Sequence, residues 1–429
     1  MRKLQNYKKG KLKMTNLAIN GGRKVITRSL SRWPIWDERE EQALLGTLRK
    51  NWWHGDYDEE SNSQKFERVF RNYIGTDYGL GVSSGTMALV IALKATGVGP
   101  GDEVLTPALS FYASATCILL ANAVPIFVDV APESYNISPE AMEAAITDRT
   151  KAAVVVHNGG YPADMDAIME IAKKHDLMVI EDCSHAHGSE WRGRRVGSIG
   201  HLGAFSIMAG KLLAAPEGGI VLTNNEELIA KVCSFQDHGA HYGPPIEARP
   251  VPYNLRLSEF HAALVLVGLS RLDEQIKTRE RNFTYLAKGL KEIDGIRVFD
   301  RDPRVTRWST YYWNFKYNQG EFDGIPRDKF LEAVNAEGAP ISVGAHGVPV
   351  YQEVCFASMN FGRTGCPLKC PLYGEPIDYT KVHCPEAERI YKTESLSISH
   401  ENFLGEKENM DLILEAIRKV RANTDELRK

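Results

Sequence analysis

The sequence predicts an α/β fold: a mostly parallel, seven-stranded sheet with helices on both faces, followed by a smaller C-terminal α+β domain. Three observations carry this. From Gly79 to Thr223, short strands that are apolar on both faces are separated by helical segments, the pattern of a covered parallel sheet. At 429 residues the chain is longer than one core usually holds. Beyond Ile293 the segments shorten, and Pro303, Pro326, Pro340 and Pro349 punctuate them. The expected divisions are an N-terminal arm over 1–37, a large domain over 38–292 and a small C-terminal domain over 293–429.

Taken in order, Leu17 to Arg28 is short and broken by glycine. Glu38 to Lys50 reads as a helix because Ala43, Leu44, Leu45 and Leu48 recur at helical spacing. Gln64 to Tyr73 reads as a second helix. The alternation then begins: strand 79–82, a helix opening at Ser84, strand 103–106, helix 112–121, strand 124–130, helix 139–146, strand 152–156, helix 164–175 and strand 177–181. Strands 204–207 and 220–223 follow. The stretch from Leu257 to about Leu290 is largely helical. In the C-terminal part, Tyr311 to Tyr317 alternates like a strand, while 328–336 and 407–421 read as helices.

The bulk numbers exclude several classes. A net charge of −3 gives no basic field for nucleic acid or an anionic membrane. No apolar run approaches the roughly 20 residues of a membrane helix. The first 14 residues are basic but lack the apolar segment of a secretory signal, and Met14 offers a second possible start. Seven cysteines, an odd number, fit a reducing compartment, so a cytoplasmic location is expected. Cys366, Cys370, His383 and Cys384 lack the spacing of a standard zinc site, and no metal is expected.

Ligands of such sheets bind beyond the C-terminal strand ends, where four features converge. The first is Ser83-Ser84-Gly85-Thr86, small residues between a strand and a helix. Their backbone N–H groups can approach a phosphate at the helix N-terminus, although Ser84 capping the helix would explain the same residues. The second is Glu181-Asp182 closing an apolar strand. Adjacent strand residues point to opposite faces, so one carboxylate can reach the cleft, where it would either hold a proton on a pyridine nitrogen or cap the next helix. His185 and His187 follow, and a hydrogen-bonding role suits His185. The third is Phe111, an aromatic just past a strand end that can stack on a flat ring or pack in the core. The fourth is Ser206 with Lys211. Lys211 lies beyond the turn at Ala209-Gly210, in a glycine-bounded stretch whose only other charge is Glu217. Phe205, Ile207, Leu212 and Leu213 frame it. Desolvation there lowers an amine's pKa and favours the neutral nucleophile that forms a Schiff base, whereas a strand-capping lysine would simply reach for water. Together the four features fit pyridoxal 5′-phosphate.

The same residues carry a resemblance. SSGTMAL at 83–89, GPGDEVLTPALSFYASAT at 99–116, AVPIFVDV at 123–130, IEDCSHAHGSEWRGRRVGSIG at 180–200, AFSIMAGKLLAAPEGG at 204–219 and YNLRLSEFHAAL at 253–264 stand in order along the chain. The chain resembles the DegT/DnrJ/EryC1/StrS family of sugar and cyclitol aminotransferases, which have the aspartate-aminotransferase (type I) fold. The resemblance implies that 38–292 is the cofactor-binding domain and that Lys211 bonds the cofactor and moves the proton. It pairs Asp182 with the ring nitrogen, stacks Phe111 on the ring and puts His185 nearby. Gly85, Thr86 and Ser206 are implied to hold the phosphate. Asn254 is implied to reach the phosphate in the neighbouring subunit, which makes the protein at least a homodimer with shared sites.

Two departures stand out. Pro216 precedes Glu217-Gly218-Gly219 where the family usually has glycine, which stiffens the loop. Ile207-Met208 replaces an aromatic followed by His or Gln, removing a polar group beside the substrate. Gly210-Lys211 and the tail 399–405 are closer to the cyclitol and aminohydroxybenzoate branches than to the nucleotide-sugar branch. The expected reaction is ping-pong transfer of an amino group from glutamate or glutamine to a keto-cyclitol or keto-sugar. The alternatives are a sugar dehydratase or aminohydroxybenzoate-synthase-like enzyme of the same fold, and a regulator that binds the cofactor without turnover. An intact Lys211 argues against the dehydratase, whose relatives replace it. Trp52, Trp53, His54, His238 and the stretch from His346 to Tyr351 are candidate substrate contacts without assigned roles.

Overall fold

The computed structural model describes residues 16–53, 60–237, 251–374 and 376–428. His54, His238 and the basic stretch over 1–14 lie outside the described residues. Helix α1 (Glu38–Lys50) starts at a capping box: Asp37 accepts from the Arg39 amide while the Glu40 carboxylate accepts from the Asp37 amide. Helix α2 spans Asn62–Ile74.

The central sheet contains β1 (Tyr78–Val82), β2 (Glu103–Pro107), β3 (Val124–Val128), β4 (Thr150–Val156), β5 (Met178–Asp182), β6 (Leu202–Ser206) and β7 (Gly219–Thr223). Its order is β1-β7-β6-β5-β4-β2-β3. The pairings among β6, β5, β4, β2 and β3 are parallel, and β7 runs antiparallel to both β6 and β1. The expected seven-stranded, mostly parallel sheet is therefore present, with β7 as its one reversed strand. That reversal follows from a short link: β6 returns as β7 through the lysine loop, with no crossover helix between them.

Helices α3 (Gly85–Ala95), α4 (Ala113–Leu120), α5 (Pro139–Ala144), α6 (Met165–Lys174) and α7 (Glu226–Gln236) flank the strands. One apolar cluster, with Leu89, Ile91 and Leu93 of α3 against Val154, Ile180 and Val221, covers one face of the sheet. A second joins Leu105, Val155 and Val179 on the other face to Trp313, Phe315 and Ile398 of the C-terminal part. The long α8 (Glu259–Leu290) leads into a four-stranded sheet of β8 (Ile296–Val298), β9 (Tyr312–Tyr317), β10 (Ser342–Val343) and β11 (Ser395–Ser399), ordered β8-β9-β11-β10. Helices α9 (Arg327–Ala336) and α10 (Lys407–Ala422) pack against it. Glu190–Trp191 and Arg194–Arg195 form a small hairpin that pairs with Val305–Arg307, an antiparallel patch the sequence did not suggest. The described part of the N-terminal segment is anchored: Leu17 and Ile26 are buried in the second cluster, and the Asn16 amide donates to Glu426. No described helix is long and apolar enough to cross a membrane.

Candidate active site

At the C-terminal ends of β5 and β6 a cavity of about 310 Å³ opens. Gly85, Thr86, Phe111, Asp182, His185, Ser206 and Lys211 all line it. The period-2 alternation of β5 separates its two terminal acids. Asp182 faces the cavity: Oδ2 accepts from the Ser114 hydroxyl at 2.8 Å and Oδ1 from the Ser184 amide at 3.1 Å. Glu181 points the other way, fully buried, and accepts from the amides of Gly197, Ile199 and Gly200 at 2.8, 2.7 and 2.6 Å. His157 Nε2 lies 3.0 Å from it. Burial pushes the Glu181 carboxyl up, but the bonds from His157 and the backbone outweigh burial and hold it below its ordinary value.

His157 Nδ1 accepts from the Ala163 amide at 3.0 Å, so the ring proton sits on Nε2 and is donated to Glu181. This matters because His157, Glu181 and Cys183 form a group with metal-ligating spacing. With Nδ1 engaged and Nε2 protonated, the histidine has no lone pair to give an ion. Cys366 and His383 are exposed and Cys384 is buried near the Phe127 carbonyl, and these residues do not form such a group.

Beyond β6 the chain is stapled. The Ile207 amide donates to Gly218, the Ala215 amide to Ile207 and the Lys211 amide to Met208, at 3.0, 2.7 and 2.7 Å. The Gly210 amide donates to Met208 Sδ at 3.1 Å, so the side chain that replaces the family's polar residue closes the turn instead. Lys211 is 7% exposed, with Nζ 4.4 Å from the centroid of the Tyr311 ring. Burial lowers its pKa from 10.5 to about 8, and Asp182 opposes that shift. The lysine is therefore the desolvated amine its neighbours suggested, not a strand cap reaching for water.

Ser84 caps α3 by accepting from the Met87 amide at 3.2 Å, so the capping explanation holds for that residue. Helix geometry leaves the first-turn amides of Gly85 and Thr86 without an intrahelical acceptor, and both residues line the cavity. Gly85 lies against β6: a Cβ there would sit 2.4 Å from Ser206 Cβ.

The aromatic wall is only partly anticipated. Phe111 is half-exposed and lines the cavity, 5.7 Å from the His346 ring. His185 is buried and stacks on Tyr311, with centroids 4.5 Å apart and planes at 10°. Its Nε2 lies 3.0 Å from His346 Nε2, so one ring donates and the other accepts. Desolvation, with Lys211 nearby, drives both histidines neutral, His346 down to about 3. Asn254 is exposed, bridges to Asp237 and does not line the cavity of its own chain. Trp52 and Trp53 are also exposed and outside the cavity.

Ser114, Ser184, Tyr311 and His346 are site residues that sequence reasoning did not assign. Ser114 carried a signal, three residues past Phe111 in the first turn of α4. Tyr311 and His346 arrive from the C-terminal part; Tyr311 carries no local signal, and His346 was named only as a candidate substrate contact without a role. Ala345 and His346 both have positive φ, 55° and 64°, a conformation that non-glycine residues adopt at a cost and that aims the His346 ring inward.

Residues 34–367 match the DegT/DnrJ/EryC1/StrS aminotransferase family. An L-glutamine:2-deoxy-scyllo-inosose aminotransferase of Streptoalloteichus tenebrarius is 36% identical over 433 residues, covering 96% of this chain and 99% of the relative. An L-glutamine:scyllo-inosose aminotransferase of Streptomyces griseus is 34% identical over 430 residues, again covering 96% and 99%. Among solved structures, 3-amino-5-hydroxybenzoic acid synthase is similar with a TM-score of 0.79 and 30% identity, over 93% of this chain and 100% of that one. With the buried lysine, the strand-end aspartate and the glycine-opened helix in one cavity, these likenesses span nearly the whole molecule. The chain belongs to the DegT/DnrJ/EryC1/StrS aminotransferase family.

Proposed function

We propose that this enzyme uses pyridoxal 5′-phosphate to move an amino group from L-glutamine to a keto-cyclitol of the inosose type. The observation that carries the reading is Lys211: a buried amine with its pKa lowered to about 8, in one cavity with Asp182 and the N-terminus of α3. The relatives named for glutamine and inososes support this donor and acceptor.

The cavity fits the cofactor. Asp182 is a carboxylate fixed by two donors, suited to a protonated ring nitrogen. Gly85, lacking a Cβ, lets α3 close on Ser206 of β6, and so brings the Thr86 amide and the Ser206 hydroxyl to one end of the cavity for the phosphate. Phe111 offers a ring face, and His185 lines the same cavity against His346. The bound cofactor supplies a protonated pyridinium that takes up the electron pair left when a proton leaves the amine-bearing carbon.

The chain does the rest. Lys211 Nζ would hold the cofactor, and as a free amine would carry the proton that leaves the donor's α-carbon. Asp182 keeps the ring nitrogen protonated. His185 and His346, both neutral, offer hydrogen bonds without placing a second cation beside the amine.

Asn254 acts in the neighbouring subunit, which makes the working unit a homodimer; its exposure away from its own cavity supports this. The cytoplasm suits seven cysteines that are all free. The arm over 1–37, the large domain over 38–292 and the small domain over 293–429 are the proposed divisions, supported by the separate four-stranded sheet of the C-terminal part. The test is to incubate the purified protein and cofactor with glutamine and either 2-deoxy-scyllo-inosose or a nucleotide-linked keto-sugar. Amination of the inosose is expected. Amination of the nucleotide-linked sugar alone would overturn the acceptor, and no amination of either would overturn the reaction.

A further inference from the structure

Arg279 of α8 is the largest fully buried side chain, with no exposed surface. Its NH2 lies 3.2 Å from His400 Nδ1, while Nε and NH1 have no partner among the described residues. A buried guanidinium with unmatched donors is costly, and burial pulls its pKa down from 12.5 to about 9 against the pull of Glu401. An apolar side chain of the same size would serve packing better.

The partner chemistry suggests why it is there. A guanidinium can only donate, so His400 Nδ1 must be a bare acceptor and the ring proton must sit on Nε2. That Nε2 lies 3.1 Å from the carbonyl of Gly210, the residue before Lys211. Glu401 stands 3.8 Å from the same nitrogen and also favours its proton. With Arg279 absent, Nδ1 becomes a buried acceptor without a donor, and only the Gly210 carbonyl and Glu401 are left to hold the tautomer and the ring. The adjacent carbonyl, of Ala209, accepts from Trp33 Nε1 at 2.9 Å. The Trp33 ring meets His400 edge-on at 4.7 Å and lies 5.4 Å from the Arg279 guanidinium. On its other side His400 stacks against Tyr311, the ring beneath Lys211 Nζ.

The geometry points to Arg279 and His400 as positioning residues: a fixed-tautomer relay that holds the Ala209-Gly210 backbone and so sets where the Lys211 amine stands. The inference rests on Lys211 being the cofactor lysine. Neither residue touches the cavity; both act through the peptide that carries the lysine.

Four variants test it: Arg279→Met, His400→Phe, the double variant and His400→Gln, whose amide can donate to Gly210 while accepting from Arg279. Arg279→Met and His400→Phe are each expected to lower kcat about 10–100-fold, the scale of a misplaced reacting group, with little change in the KM for glutamine. The double variant is expected to be no worse than either single one, because both break the same relay. His400→Gln is expected to recover most of the rate. Arg279→Met should keep or raise the melting temperature, since it removes a buried, poorly matched charge.

A second readout needs no cofactor: the pH midpoint for trinitrobenzenesulfonate labelling of Lys211 in the cofactor-free protein. It should lie near 8 in the wild type and move upward toward 10.5 in Arg279→Met and His400→Phe as the amine loosens into water. Wild-type kcat and midpoint in those two variants would overturn the relay. So would losses that follow a falling melting temperature and are not rescued by His400→Gln. If wild-type Lys211 takes up no pyridoxal phosphate, the aminotransferase reading fails, while the labelling midpoints still report on the relay.

Discussion

Lys211 is basic enough to be charged at neutral pH in water and is buried where charge is costly. Its pKa of about 8 lies below the ordinary 10.5. Between those values the unfolded chain holds a proton that the folded chain has lost, so cofactor-free protein gains stability as pH rises from about 8 to 10.5. Lys211→Met removes this penalty. The variant is expected to be more stable than wild type by about 3 kcal/mol below pH 8, with the gap closing toward pH 10.5. Urea unfolding of both proteins across that range checks the sign. Asp182 makes a different prediction. Asp182→Asn preserves shape and still accepts from the Ser184 amide, but it cannot hold a ring proton by charge. The cofactor should still bind while both half-reactions slow by about 10²–10⁴-fold, read in single-turnover kinetics with glutamine and then with the ketone.

At the scale of elements, the site exists because the ends of β5 and β6 meet the N-termini of α3 and α4. Gly85 is the contact between them: a Cβ there would stand 2.4 Å from Ser206 Cβ and 2.9 Å from its Cα. Gly85→Ala must push α3 away from β6, at about 1–3 kcal/mol, and so should weaken cofactor affinity about tenfold or more in a fluorescence titration. These elements were legible in the sequence because their signals are local. Glu38–Lys50 reads as a helix from its periodicity and forms over those same residues. The two faces of β5 follow from alternation alone, which is why Asp182 and Glu181 separate as expected. Ser114 was within reach, since it lies in the first turn of α4, three residues past Phe111. Tyr311 was not, and His346 was named only as a candidate substrate contact without a role. They meet Lys211 only because β9 and the turn before Gly347 pack over the sheet ends, a long-range contact that no local pattern encodes. The positive φ at Ala345 and His346 is equally silent in a sequence, since neither residue is glycine.

For the whole molecule, the proposed homodimer makes Asn254 the decisive residue. It is exposed in its own chain and apart from its own cavity, so the proposed phosphate contact requires a second copy. Co-expressed Lys211→Ala and Asn254→Ala subunits, each inactive or impaired alone, should recover roughly a quarter of wild-type activity, because half the dimers are mixed and each holds one intact site. No recovery in demonstrably mixed dimers would place Asn254 in its own subunit's site or in none. The exposed Trp36, Trp52 and Trp53, and a groove of about 750 Å³ lined by Trp33, Trp36, Leu44 and Leu212, give such a dimer an apolar surface to cover.

The account depends most on the Lys211 amine carrying the cofactor. The direct measurement is borohydride reduction of the purified protein with pyridoxal phosphate, followed by peptide mass spectrometry, with and without prior glutamine. A pyridoxyl group fixed on Lys211, and lost when glutamine is added first, is the predicted result. A label on another lysine, or none at all, would contradict it.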